Sequence, residues 1–311
     1  MNSIAAPIVA AGPVAAPDLR QRPSISVVMV VYRTGEALAQ SLACVLGEPL
    51  VDQLVVVDNG SSPGEAASLR ALAERDRRVV LKTGHGNVGF ARGANLGAQA
   101  ARGELLVFLN PDAFLQPGCV AALAREIEDR PSPCIVGGRV LNADRTAQRG
   151  ARRGEITPLT ALMSMSGLAR LAPAWTRYEV HWEGDELPSQ ATSTPTISGA
   201  CFCMRRADFD DMGGFDEGYF LHVEDVDLCW RVRRAGGEVL FHPKAEVVHI
   251  GGTSQTSPLK VEFHKGVGLA RYFRRRAAGA GQQALAWALS PLVVMAAVVR
   301  PVLWRLNRRA G

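Results

Sequence analysis

Residues 105–112 read LLVFLNPD, an apolar run from Leu105 to Leu109 that stops at Asn110, Pro111 and Asp112. A continuous apolar run bounded by turn formers is the pattern of a strand covered on both faces, as in the parallel sheet of an α/β protein. In open parallel sheets ligands collect beyond the carboxyl ends of the strands. A carboxylate placed there, just past a proline that stops pairing, can reach a metal or a phosphate. Asp112 is therefore a candidate ligand for a divalent cation held against a nucleotide diphosphate. Asn, Pro and Asp are also ordinary turn residues, and the tripeptide alone reads equally as a turn.

Working outward, the same pattern recurs. Residues 24–32 (SISVVMVVY) form a second apolar run, followed by Thr34 as a helix cap and by Leu38, Leu42, Val45 and Leu46 at helical spacing. A strand over residues 53–57 breaks at Asp58, Asn59, Gly60, Ser61, Ser62 and Pro63, which carry turn chemistry. Val79 to Lys82, a glycine-rich loop and a helix from about Phe90 to Ala101 lead into the strand Glu104 to Leu109. Strands alternating with short helices predict a mostly parallel central sheet with helices on both faces. The alternation fades from about Asn142 to Pro195, a variable lid or acceptor-side region. It returns at Thr196 with strand and turn, a helix beginning near Val223, and strands at 238–241 and 245–250.

With 311 residues, 47% of them hydrophobic and 21% charged, the chain is globular and large enough for a real core. Its formal net charge of +5 owes much to Arg274, Arg275, Arg276, Arg300, Arg305, Arg308 and Arg309 near the C-terminus. These arginines flank an apolar segment and are not interleaved with stacking aromatics, which favours a lipid headgroup surface and argues against nucleic acid. The apolar run Ala284–Val299 has 16 residues and contains Pro291. It is short for a bilayer span of about 20 residues, so a helix lying on or dipping into the cytoplasmic leaflet is expected. A helix docked on the domain, or a dimer contact, is the alternative. The six cysteines, Cys44, Cys119, Cys134, Cys201, Cys203 and Cys229, form no C-x-x-C pair, so neither a zinc site nor a disulfide framework is expected and a reducing cytoplasm is. Residues 1–23 are rich in Ala and Pro, a poor signal peptide and a loose extension.

Three acidic sites follow strands or open a helix: Asp58 in VVVDNGS, Asp112 in FLNPD, and Glu224, Asp225 and Asp227 in HVEDVDLCWR. In this order, with the loop GNVGFARGANLG and the segment SGACFCMRRADFDDMGGFDEGYFLHVEDVDLCWRVRRAGG, the chain resembles the inverting glycosyltransferases of family 2, in their rhamnosyltransferase-like branch. The resemblance runs from about Ser24 to Arg276. It implies a GT-A fold over residues 24–276, and composition sets the extension 1–23 before it and a membrane-associating tail over 277–311 after it.

It also implies roles for individual residues. Val31, Tyr32 and Asp58 match positions that contact the base of a dTDP- or UDP-sugar, Asp58 as acceptor for the pyrimidine imide; without the resemblance Asp58 is as easily a turn cap. Asn87, Gly89, Phe90, Gly93 and Asn95 match the loop beside the nucleotide, where glycine lets the backbone approach and a helix start offers N–H groups to phosphate. Asn110 stands where the family's Asp-x-Asp metal motif has its first Asp. Asp112 keeps the ligand position for Mg²⁺ or Mn²⁺, and His249 is a candidate further ligand, although a lone histidine is commonly structural. Asp225 matches the base that takes the acceptor's proton, with Glu224, Gly199 and Ala200 beside the donor and acceptor sugars. Acids opening a helix also complement its N-terminus, with Asp227 and Arg231 paired four apart.

The resemblance implies transfer of L-rhamnose from dTDP-rhamnose to a saccharide or polyprenyl-diphosphate-linked acceptor for cell-surface polysaccharide, at the inner face of the cell membrane. Two alternatives remain at this point. Gly84, Gly86 and Gly89 satisfy G-x-G-x-x-G, the fingerprint of an NAD(P)-dependent oxidoreductase, and a non-catalytic nucleotide-sugar-binding scaffold would keep the same pocket.

Overall fold

The computed structural model describes residues 22–309. The extension expected over residues 1–23 lies, but for its last two residues, outside the described residues. The chain begins with three βα units: β1 (Ile25–Val31), α1 (Ala37–Gly47), β2 (Gln53–Asp58), α2 (Pro63–Arg75), β3 (Val79–Lys82) and α3 (Phe90–Ala100). Then come β4 (Leu105–Leu109), the short β5 (Ala113–Leu115), α4 (Cys119–Glu128) and β6 (Cys134–Leu141). The expected boundaries of the first four strands hold to within a residue or two, because each is a largely apolar run ended by turn formers; the edge strand β3 is buried only at Val79. β1, β2 and β4 are buried at every position.

The irregular middle contains β7 (Arg152–Arg153), α5 (Pro158–Ser166), β8 (Thr192–Ser193) and β9 (Thr196–Ile197). Regular structure resumes with β10 (Cys201–Arg205), α6 (Arg206–Asp211), α7 (Glu224–Arg234), β11 (Glu238–His249), α8 (Pro258–Arg276) and α9 (Ala280–Arg309). Where two strands are expected after α7, there is one, with a register irregularity against β6 between His242 and Glu246. Pro243 falls inside that interval and cannot donate to the ladder.

Among the described residues, nine strands form one sheet in the order β3-β2-β1-β4-β10-β6-β11-β5, with β8 added on β11. The first four are parallel. β10 runs antiparallel between β4 and β6, with Phe202 opposite Phe108. Period-2 side chains divide the core: Val27, Met29 and Val31 face the α1 and α4 side, and Val28 and Val30 face the α3 and α7 side. On the second face Phe108 stacks on Phe202 at 4.9 Å between ring centroids and meets Phe209 and Phe215 at 4.9 and 5.3 Å. Truncating such a ring costs roughly 3–5 kcal/mol, so this cluster locks the antiparallel insertion into the parallel half.

The C-terminal pair of helices is tied down by charge. Asp216 accepts from Arg271 at 2.9 Å and from Arg275, and buried Asp227 accepts from Tyr219 at 3.1 Å and Arg231 at 2.7 Å. α9 is longer than the apolar run suggests and passes through Pro291 without a break. It folds back on α8, where Gly266 meets Val294 and Ala297 and leaves no room for a side chain. Arg274 donates to Ser290 at 2.7 Å and lies over Trp287.

Candidate functional site

Two adjoining cavities lie at one end of the sheet. The first, about 430 Å³, is lined by Tyr32, Asn87, Gly89, Pro111 and Asp112 among others. The second, about 360 Å³, is lined by Arg153, Gly199, Ala200, Glu224 and Asp225 among others. Phe90, Asn110, Leu221, His222 and His249 belong to both walls. Asp112 and Asp225, 113 positions apart in the sequence, thus serve one compound space.

Asp112 reaches its place because β4 ends at Leu109 and the chain turns into β5, which pairs with β11 so that Ala113 lies opposite His249. Its Oδ1 stands 3.1 Å from His249 Nε2, and its Oδ2 accepts from Thr253 Oγ1 at 2.8 Å. Asn110 Nδ2 lies 3.2 Å from the same His249 Nε2. On the far side of the ring, Gln148 Nε2 donates to His249 O at 2.9 Å and to Asn142 Oδ1 at 3.1 Å. That orientation leaves Gln148 Oε1 to accept from His249 Nδ1, at 2.7 Å. Nε2 is then the nitrogen turned toward Asp112 and Asn110. A carboxylate oxygen and an imidazole nitrogen on one cavity wall are donor types that would fit a divalent metal such as Mn²⁺. Burial raises the Asp112 carboxyl, but the His249 and Thr253 interactions outweigh it and hold the group below its ordinary range. Among the described residues no cluster of three or more His, Cys, Asp or Glu could cage a metal; remaining ligand positions fall to substrate oxygens and water, as is usual for Mg²⁺.

Asp225 sits in the first turn of α7, after His222 and Val223, both at positive φ (67° and 75°). Left-handed backbone at a β-branched valine is strained, and it aims the start of the helix into the second cavity. Asp225 Oδ2 accepts from Arg153 Nη2 at 2.6 Å and from Gly199 N at 2.9 Å, and Oδ1 accepts from Val226 N at 2.8 Å. A carboxylate has about four lone-pair positions. Three donors among the described residues leave one for a hydroxyl. Gly199 is needed for the close approach, since a Cβ there would lie 3.2 Å from Asp225 Cβ. Burial raises the Asp225 carboxyl, but the charge and hydrogen bond of Arg153 prevail and hold it low. Its neighbour Glu224 is pushed the other way, to about 8, by burial and then by Asp225. Glu224 Oε2 is sealed from solvent with no hydrogen-bond partner among the described residues. Asp227, by contrast, is a core residue bonded to Arg231.

Several expected positions lie elsewhere. Val31 points into the α1-side core, and it is Val30, on the opposite face of the strand, that lines the first cavity. Asp58 Oδ1 accepts from Gly60 N at 3.0 Å and Ser61 N at 2.7 Å, the turn-capping arrangement. Asn95 spends its amide on Phe215, donating to its O and accepting from its N, both at 2.9 Å, and so ties α3 to the loop after α6. Gly93 packs beneath the site, where a Cβ would lie 3.0 Å from Val30 and 3.1 Å from Asn59. Gly89 does shape the wall: at φ +85° a Cβ would strike Phe220 O at 2.6 Å, and Asn59 Nδ2 holds its carbonyl at 2.8 Å. Gln148, Arg153 and Thr253 are site residues that the sequence reading missed. Nothing in their local pattern distinguishes them, since each acts through a partner at least 72 positions away.

Comparison with known proteins gives a coherent result. The description "Glycosyl transferase family 2" matches residues 26–213. The N-acetylglucosaminyl-diphospho-decaprenol L-rhamnosyltransferase of Mycobacterium tuberculosis is 29% identical over 239 residues, 72% of this chain and 75% of that protein. Among solved structures, GalNAc-T7 with UDP, GalNAc and Mn²⁺ superposes with a TM-score of 0.59 at 19% identity, over 81% of this chain and 48% of that one. The mannosyltransferase PcManGT from Pyrobaculum calidifontis, in complex with GDP-Man and Mn²⁺, gives 0.57 at 17%, over 95% of this chain and 78% of that one. These likenesses establish the GT-A fold.

Proposed function

Because the chain belongs to glycosyl transferase family 2, and is an enzyme of that family rather than an oxidoreductase, we propose that it moves L-rhamnose from dTDP-rhamnose, with inversion, onto a polyprenyl-diphosphate-linked saccharide of the cell envelope. The sugar and acceptor rest on the similarity to the mycobacterial rhamnosyltransferase. The observation that carries the chemistry is the single open lone pair of Asp225 in a cavity that shares Asn110 and His249 with the cavity of Asp112.

The nucleotide lies in the first cavity beside Tyr32, Asn87 and Gly89, with its diphosphate toward Asp112 and His249. Asp112 and His249 would hold Mg²⁺ or Mn²⁺, which when bound would neutralise charge on the leaving diphosphate. The acceptor hydroxyl donates to Asp225. As its oxygen bonds to the anomeric carbon, the bond to the diphosphate oxygen breaks, the diphosphate leaves with the electron pair, and the proton passes to the Asp225 carboxylate. Arg153 and the N–H groups of Gly199 and Val226 orient that carboxylate, at the expense of some basicity. Glu224, neutral near pH 7, offers a hydroxyl to a sugar oxygen without a second negative charge beside Asp225.

We place the catalytic domain at residues 24–276 and the membrane tail at 277–311. Ala280–Val299 is long and apolar enough to cross a membrane, with only 6% of it buried. Since α9 is bound to α8, the reading we favour is a helix lying on the inner leaflet with Trp287 and Leu292 outward, 64% and 53% exposed. Incubation with a panel of nucleotide sugars, Mn²⁺ and a lipid-diphosphate glycoside, read by mass spectrometry, tests the activity. A deoxyhexose added from dTDP-rhamnose is expected; transfer only from another nucleotide sugar would overturn the donor.

A further inference from the structure

The second cavity carries more positive charge than a base and two sugars require. Arg149 and Arg153 reach it from the irregular middle of the chain and Lys265 from α8. Arg153 is engaged by Asp225, yet its Nε, like Nδ1 of neighbouring His181, is sealed from solvent with no hydrogen-bond partner among the described residues. Arg149 is about half exposed and meets Glu183 only at 3.8 Å. The field of these cations is felt locally: His181 is pushed down to about 4, first by burial and then by Arg149 and Arg153. Three cations line this cavity against the two acids Glu224 and Asp225, and the proposed reading puts the nucleotide's own phosphates in the other cavity.

The two helices that border this cavity also have a second, apolar face. On α5, Ala161 and Ser164 line the cavity, while Leu159 and Leu162 face outward, 52% and 62% exposed. On α8, Lys265 and Leu269 line it, while Leu259 and Phe263 are exposed. Spacing of three and four residues puts each pair on one side of its helix. A pocket lined by Asp225 and by cations, and bordered by two helices with exposed apolar faces, matches a molecule made of a sugar, an anionic link and a lipid chain.

We propose that Arg149, Arg153 and Lys265 form a subsite for the diphosphate of a lipid-linked acceptor, with the outer faces of α5 and α8 receiving the first isoprene units. This rests on the transferase reading and specifies where its acceptor binds. Guanidinium and ammonium groups suit a diphosphate.

The test is binding by the full-length protein, with dTDP and Mn²⁺ present, of an N-acetylglucosaminyl diphosphate bearing a short isoprenoid tail, against a neutral alkyl N-acetylglucosaminide. The wild type is expected to prefer the diphosphate by at least about tenfold, and the double variant R149A/K265A to lose most of that preference. L162E, at an exposed position, is expected to weaken the isoprenoid probe more than a tail-less N-acetylglucosaminyl diphosphate. Melting temperatures and dTDP affinity confirm that the variants are folded. Equal binding of both probes by the wild type, or loss of dTDP affinity in step with the glycolipid, overturns the subsite. If the glycolipid binds as expected and no nucleotide sugar is turned over, the transferase reading fails while the subsite stands.

Discussion

The two cavities are built in opposite ways. The cavity proposed for the nucleotide is made where parallel strands end, and its residues Tyr32, Asn110 and Asp112 follow β1 or β4 within one to three positions. The cavity proposed for the acceptor is assembled from Arg153 in a two-residue strand, Gly199 in a turn, Asp225 in α7 and Lys265 in α8. A strand end in a buried sheet is rigid by construction. The acceptor side is held instead by single polar contacts, notably Arg153 with Asp225 and Glu155 with Arg233 and Arg276. A common donor chemistry can thus be kept on the sheet while acceptor recognition varies on the loops.

That contrast can be broken most sharply at Asp225. D225N is expected to lower kcat by about three orders of magnitude while dTDP binding with Mn²⁺ stays within twofold; turnover near wild type would remove the base from the acceptor side. D112N, on the donor side, should weaken Mn²⁺ binding in the presence of dTDP by about a hundredfold, and unchanged affinity by calorimetry would mean the cation sits elsewhere. Gln148 asks whether the irregular middle also serves the donor side: Q148L, which frees the His249 ring, should cost about tenfold in Mn²⁺ affinity. Identical titrations for Q148L and wild type would show that the tautomer is set without it.

The smallest effect concerns Glu224. Its carboxyl is raised to about 8 in the folded chain, against about 4.3 when unfolded, so the stability of the neutral form is complete below pH 4 and is lost as pH rises through 8. E224Q, which keeps a neutral group, should melt with the wild type at pH 4 and above it at pH 9. Parallel melting curves across that range would show Glu224 ionised throughout.

Val31, Asp58 and Asn95 show how far motif reading extends. Each stands in the right stretch of chain, but face and partner are settled by packing: a one-residue step turns Val31 to the core and Val30 to the cavity, and Phe215, 120 positions on, claims the amide of Asn95. α9 shows the same limit, since a run read as 16 apolar residues is a 30-residue helix whose place depends on Gly266 of α8.

By itself the sequence determined the strands of the nucleotide half and the positions of Asn110 and Asp112, because an apolar run and its turn are local properties of contiguous residues. Only the tertiary structure decided that β10 enters antiparallel between β4 and β6, that Gln148 orients His249, and that Arg153 meets Asp225. Those are pairings across 65 residues or more, governed by which surfaces can be buried together, and no local pattern encodes a partner that far along the chain.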